Sequence, residues 1–147
     1  MENATAGFDL SLVTDAGDVI ACHPVMRQLR PHLDRAAFVE AVESQRSEGY
    51  RLLVARAGGR PVGVAGFIVR RNLAWGRHVY VDDLVTDEAY RGRGVGDSLL
   101  AWVVDFARSE RCRAVHLDSG VQRHGAHRFY LTHGFHISSH HFSRDLD

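Results

Sequence analysis

From Asp83 to Leu100 the sequence reads DLVTDEAYRGRGVGDSLL. An apolar, strand-like stretch enters a turn of glycines and arginines and leaves it as an amphipathic helix. Gly92, Gly94 and Gly96 put no Cβ in the way of an anion. The first backbone N–H groups of the following helix have no intrahelical partner, so they face whatever lies at its N-terminus. Arg91 and Arg93 add charge and fork-shaped donors. These residues suit a phosphate-bearing ligand. The P-loop lysine and hydroxyl are missing. The dinucleotide fingerprint G-x-G-x-x-G fits poorly, because the spacing is G-x-G-x-G followed by Asp97, although Asp118 lies about 20 residues on, where a ribose-binding acid would stand.

Further residues could move protons. Asp82 and Asp83 are neighbours on the strand that leads to the turn, and strand alternation predicts that they face opposite sides, with only one in an acceptor cleft. The phenol of Tyr130, with an ordinary pKa near 10, is a proton donor at neutral pH. The ten histidines raise the question of zinc, above all the spacing His124-x-x-His127 and the later His133, His136, His140 and His141. No cysteine or paired carboxylate completes a ligand set around them, so no metal is expected. Cys22 and Cys112, far apart and outside any C-x-x-C, read as reduced structural thiols.

The elements that must position these groups follow from periodicity. Residues 8–13 alternate as a strand. Residues 15–29 form a helix interrupted near Pro24, and Asp34 caps a second helix carrying Phe38, Val39 and Val42 on one face. Residues 50–57 and 60–69 are β-rich and flank Gly58-Gly59, the signature of a tight hairpin. Arg70, Arg71 and Arg77 bracket a loop before a strand over 78–85. Leu99, Trp102, Val103 and Phe106 line a helix over 94–109, and residues 114–118 supply a strand parallel to the one before the turn. A short helix over 123–131, ended by Gly134, leads to a last β-rich stretch through Phe142.

Arg91-x-x-Gly94-x-Gly96 after Leu84-Val85, followed by AHRFYLTHGF from Ala126 to Phe135, resembles the GNAT acetyltransferase superfamily over roughly the last hundred residues. The resemblance implies an α/β (α+β) GNAT fold, with a mixed central sheet of six to seven strands flanked by about four helices, in one domain spanning residues 1–147. It implies acetyl-CoA as cosubstrate. Its pantetheine arm would lie beside Leu84 and Val85, with the Val85 N–H as donor to the thioester oxygen. Its phosphates would sit on Arg91, Gly92, Arg93, Gly94, Val95, Gly96 and Asp97. Tyr130 matches the tyrosine that protonates the leaving thiolate. Asp83 falls where a relative carries a glutamate and is favoured as base over Asp82, with water as an alternative relay. Asp118 and Ser119 are expected to bind the substrate amine. VQRHGAHRFYL, from Val121 to Leu131, with Ser139-His140 beyond it, resembles the aminoalkylphosphonate N-acetyltransferases, in which Arg123 and His124 would suit an anionic acceptor. The chain departs from that pattern at Gly120 and Gly125.

Composition excludes several classes. The 147 residues balance 18 basic against 18 acidic side chains, and no basic run suggests a nucleic-acid footprint. No apolar stretch is long enough to span a bilayer, and no leader-like succession opens the sequence, so a cytoplasmic protein is expected. The resemblance implies transfer of an acetyl group to a primary amine of a small molecule, in a superfamily whose members often pair as homodimers. The alternatives are an aminoglycoside or protein-amine acetyltransferase, or a regulatory module that binds acyl-CoA without turnover.

Overall fold

In the computed structural model, residues 3–5 and 7–147 are described, with side chains from residue 7 onward. Two compact units emerge, Met1–His116 and Leu117–Asp147.

The first unit holds most of the sheet. Its elements are β1 (Asn3–Thr5), β2 (Phe8–Leu12), α1 (Ala16–Leu29), α2 (Arg35–Arg46), β3 (Arg51–Ala57), β4 (Arg60–Asn72), β5 (Gly76–Thr86), a 3₁₀ turn at Glu88–Tyr90 and α3 (Val95–Ser109), followed by β6 (Val115–Leu117). Strand order is the chain order, β1 to β6. The pairs from β1–β2 to β4–β5 are antiparallel. The Arg113 N–H donates to the Arg77 carbonyl (2.8 Å) and the Val79 N–H to the Ala114 carbonyl (3.1 Å), so the chain entering β6 runs parallel to β5. The sheet is therefore mixed, as expected. β2 to β6 form a five-strand body, and β1 adds only a three-residue edge, so the upper end of the expected six to seven strands is not reached among the described residues.

Local chemistry explains the boundaries. Asp15 caps α1 by accepting the Asp18 N–H at 2.8 Å, and Asp34 caps α2 through the Ala37 N–H at 2.8 Å. Pro24 does not interrupt α1, which runs unbroken from Ala16 to Leu29. The lost N–H is absorbed in a helix held on one side by the buried Val19, Cys22, Val25 and Met26. Gly58 and Gly59, with φ of 56° and 81°, make the tight β3–β4 hairpin. The β4–β5 hairpin is longer than expected. Arg70 pairs with His78 and Arg71 with Arg77, so these arginines are ladder residues, and the connection is confined to residues 73–75.

The two sheet faces bury different partners. Val54, Val64 and Val85 point with Leu52 and Tyr50 into a core closed by Val19, Cys22 and Met26 of α1 and by Phe38 and Val42 of α2. On the opposite face Phe67 meets Trp102 and Phe106 of α3, with ring centroids 6.2 and 5.2 Å apart. Gly63 is glycine for packing: a Cβ there would run into Val95 and come within 3.0 Å of Leu99.

One irregularity matters for function. Gly66 pairs with Asp83 and Phe67 with Val81, which leaves Asp82 unpaired as the extra residue of a β-bulge.

The second unit contains α4 (His124–Thr132). Gly134, with φ of 87°, turns the chain after it. The last strand expected through Phe142 is absent: residues 135–147 adopt neither helix nor strand. A β-prone sequence becomes a strand only by finding a ladder partner, and here Ile137 and Phe142 stay 74% and 90% exposed.

Candidate active site

The glycine turn is braced from both sides. Asp87 follows β5, with its N–H on the Val62 carbonyl at 2.8 Å, and its carboxylate accepts the Ala89 N–H at 3.1 Å to hold the 3₁₀ turn. Gln28 of α1 braces the same corner by accepting the Glu88 N–H at 3.0 Å. Gly92 and Gly94 have φ of 79° and 85°, in the left-handed region that disfavours other residues. Gly94 is the N-cap of α3, and no side chain caps that helix. The Ser98 hydroxyl donates backward to the Gly94 carbonyl at 3.0 Å and leaves the first-turn amides of Val95, Gly96 and Asp97 facing outward. The Arg93 guanidinium lies 4.9 Å from the Tyr90 ring centroid, and Arg91 and Arg93 are both exposed. An uncapped helix start behind two left-handed glycines fits a pyrophosphate.

The register of β5 corrects one expectation. Donors on alternate residues of an antiparallel strand face the same neighbour. With the Asp87 N–H on β4 and Val85 paired to Val64 in regular register, the Val85 N–H is turned into the sheet toward β4. The amides of Leu84 and Thr86 face the other way. Val85 therefore contributes its buried side chain to the core, and the amide of Leu84 points away from β4.

The bulge corrects another. Strict alternation would send Asp82 to the α3 face. The extra residue instead lets both Asp82 and Asp83 line one pocket of about 300 Å³, on the face covered by α1 and α2, whose walls include Met26, Arg30, His32, Phe38, Gln45 and Tyr50. Asp83 is tightly held within it. Its Oδ1 accepts Arg30 Nε at 2.9 Å and its Oδ2 accepts the Tyr50 hydroxyl at 2.8 Å, while Arg30 NH2 donates to the Asp82 carbonyl at 2.9 Å. Burial, then the Asp83 charge, pushes the Tyr50 phenol well above its ordinary pKa, so it stays a donor. Asp82 is more exposed and makes no such pair. Desolvation first, then the neighbouring Asp83, raises its carboxyl above the ordinary range, with Arg70 and Arg30 pulling the other way. Arg30 and Tyr50 were not singled out in the sequence. A lone Arg before Pro31 and a Tyr opening a strand carry no periodic signal.

In the second unit Tyr130 is half-buried on α4, packed 5.7 Å from the Phe135 ring. Desolvation raises its pKa, against a smaller lowering by Arg123. Tyr130 lines a pocket of about 320 Å³ together with Asp118, Ser119, Phe135 and His141. Asp118 lies 3.5 Å from His141 Nδ1, and the Ser119 hydroxyl is buried without a hydrogen-bond partner. Arg123 and His124, at the start of α4, are exposed. His127 Nε2 reaches the Gly120 carbonyl at 2.7 Å, and no metal-holding group of three His, Cys, Asp or Glu forms among the described residues.

Several known proteins similar to this chain are acetyltransferases. Residues 20–135 match the Acetyltransferase (GNAT) family. The uncharacterized N-acetyltransferase YhdJ of Bacillus subtilis is 34% identical over 126 residues, covering 84% of this chain and 89% of its own. The aminoalkylphosphonate N-acetyltransferase of Salmonella typhimurium is 35% identical over 66 residues, which are 45% of this chain and 43% of that protein. The crystal structure of a Trypanosoma brucei acetyltransferase superposes with a TM-score of 0.78 at 25% identity, covering 95% of this chain and 99% of that one. An aminoglycoside N-acetyltransferase solved with CoA shares the fold, with a TM-score of 0.84 at 18% identity, over 99% and 96% of the two chains. The family match over residues 20–135 and the B. subtilis relative together identify this chain as a member of the GNAT family, an acetyl-CoA-dependent N-acetyltransferase.

Proposed function

We propose that the protein moves the acetyl group of acetyl-CoA onto a primary amine of a small molecule by direct attack, without an acyl-enzyme. The observation that carries this is the placement of two carboxylates in one pocket, on the strand that runs directly into the phosphate-binding turn. A pocket of about 300 Å³ matches a small acceptor, at the low end of ordinary ligand sites. Its floor of Met26, Phe38 and Val42 suits a short apolar body, and its carboxylates suit an ammonium group.

The turn from Arg91 to Asp97 holds the phosphates, and Leu84 lends its outward amide to the thioester oxygen, where negative charge grows during attack. The ammonium first gives a proton to the Asp82–Asp83 pair, directly or through water. The freed nitrogen lone pair then forms the C–N bond, the C–S bond breaks with its electrons on sulfur, and the nitrogen sheds its second proton. Tyr130, by its place in the family motif, protonates the departing thiolate. One proton is released per turnover. By the sequence resemblance, Asp118, Ser119, Arg123 and His124 serve acceptor recognition.

Both compact units belong to one GNAT domain in this reading, because the family match runs across their boundary at residues 116–117. The protein acts in the cytoplasm, as a homodimer; no helix among the described residues is long and apolar enough to cross a membrane. The test is release of free thiol from acetyl-CoA across pooled small primary amines, aminoalkylphosphonates and aminoglycosides included. Turnover with one pool and an N-acetylated product by mass supports the proposal. Coenzyme binding without turnover on any amine would mean a regulatory acyl-CoA module.

A further inference from the structure

The end of α1 is fastened to β5 and its exit at two places. Arg30, which closes the helix with its N–H on the Met26 carbonyl at 2.8 Å, donates from Nε to Asp83 Oδ1 at 2.9 Å and from Nη2 to the Asp82 carbonyl at 2.9 Å. Two positions earlier, Gln28 accepts the Glu88 N–H on its Oε1 at 3.0 Å, and its Nε2 lies 3.4 Å from Asp87 Oδ1. Between these points Val85 is buried in the core that Val25 and Met26 of the same helix help to close. One helix therefore holds residues 83–88 at both ends, and those residues run from the acceptor pocket to the entrance of the glycine turn.

The first N–H groups of a helical turn need partners from outside it. Asp87 supplies one locally by accepting the Ala89 N–H, but the Glu88 N–H is taken by a side chain 60 positions away. Tyr90 closes the same turn with its N–H on the Asp87 carbonyl at 2.8 Å, and its ring lies 4.9 Å from the Arg93 guanidinium. A line of contacts thus runs from Gln28 through the 3₁₀ turn to Arg93, a cation of the phosphate-binding turn. Gln28 is exposed, so what it contributes is its hydrogen bonding and not buried surface.

We propose that Gln28 is a positioning residue for coenzyme binding, and that with Arg30 it makes the end of α1 a two-point clamp that fixes the phosphate-binding turn relative to the acceptor pocket. This rests on the acetyl-transfer reading above, in which that turn takes the coenzyme phosphates. The clamp acts by preorganisation: a turn already held in its binding shape loses less affinity to ordering when the pyrophosphate arrives. Because Met26 and Arg30 also wall the acceptor pocket, a change at the turn reaches Asp83 through the helix as well as along β5.

The test needs no acceptor. Gln28→Met keeps the length and helix propensity of the side chain and removes its hydrogen bonds. Calorimetry on the whole protein is expected to show the Kd for CoA raised about 3- to 10-fold, the worth of a hydrogen bond, with the thermal midpoint unchanged. Pantetheine, which has the arm of CoA and none of its phosphates, should bind both proteins equally by NMR titration, whereas a general loosening of β5 would weaken both ligands. In the ¹H–¹⁵N spectrum the Arg30 Nε–H, assigned by its loss in Arg30→Lys, should shift when CoA saturates the wild type and shift by less than half as much in Gln28→Met. Gln28→Ala is expected to repeat these results and serves where Gln28→Met does not fold. The proposal is overturned if Gln28→Met binds CoA as tightly as the wild type, if pantetheine is weakened as much as CoA, or if the Arg30 signal moves alike in both proteins. Should the wild type bind no CoA, the acetyl-transfer reading itself falls, and this proposal with it.

Discussion

The Tyr50 hydroxyl donates to Asp83 at 2.8 Å across the backbone of Gly66, and a Cβ on Gly66 would collide with it. The residue before β3 is therefore joined to β5 by one hydrogen bond that requires a glycine of β4 in the middle. Gly66→Ala is expected to destabilise the protein by about 1–3 kcal/mol, the usual cost of overpacking, and to break the bond. Urea denaturation measures the loss; an unchanged midpoint would mean that Tyr50 has room to move.

Gly94 caps α3 with φ of 85°. Gly94→Ala should weaken acetyl-CoA binding by calorimetry, because a β-carbon at the left-handed cap strains the loop that shapes the anion site. Unaltered affinity in a folded variant would move the phosphates elsewhere.

Tyr130 is expected to act as the acid for the leaving thiolate. Tyr130→Phe keeps the ring and removes the proton, so turnover should fall by about 10²-fold with little change in coenzyme affinity. Desolvation raises the phenol's pKa, so the alkaline limb that reports it should lie above the ordinary tyrosine value. Wild-type rates in the variant would reduce Tyr130 to a packing residue.

Asp82 also leaves a mark on stability. A carboxyl whose pKa is higher in the folded protein than in the unfolded chain binds more protons when folded. Stability therefore falls as pH rises from about 3.8 through the raised folded value, and stays at the lower level above it. Asp82→Asn should be at least as stable as the wild type at neutral pH and should lose that pH dependence. Thermal melts from pH 3.5 to 8 distinguish this from a stabilising role, in which the variant would melt lower.

Cys22 is fully buried, and burial pushes its thiol up to about 12, while Cys112 is half-buried. At pH 8 a thiolate-selective reagent should modify Cys112 first, with Cys22 reacting only once the protein is unfolded. Equal rates in the native protein would mean that α1 opens readily.

The parts of the molecule that were legible in the sequence are those governed by local chemistry. Asp15 and Asp34 cap helices, Gly58-Gly59 turns a hairpin, and Leu99, Trp102, Val103 and Phe106 mark the buried face of α3, because each signal acts within a few residues. The orientation of Asp82 was not legible. A bulge is set by the match between two strands, and nothing in VDDLV distinguishes a regular strand from one carrying an extra residue. The direction of the Val85 amide was hidden for the same reason, since it depends on the phase of the ladder with β4. Arg30 lies 53 positions from Asp83, a separation that periodicity cannot bridge. The last strand failed in the opposite way: the β-prone residues through Phe142 satisfy every local rule and still lack a neighbour to pair with.

The extra residue in β5 makes the site depend on a count as well as on identities. Substituting Asp82 alters one functional group, whereas deleting it would close the gap opposite Gly66 and Phe67 and yield an uninterrupted ladder of better regularity. Such a shortened chain should fold well and lack the acceptor chemistry. For an engineer or for evolution, losing a single codon here is thus a route from enzyme to inert scaffold that leaves the coenzyme turn untouched, and relatives of equal similarity can be sorted by whether that additional position is present.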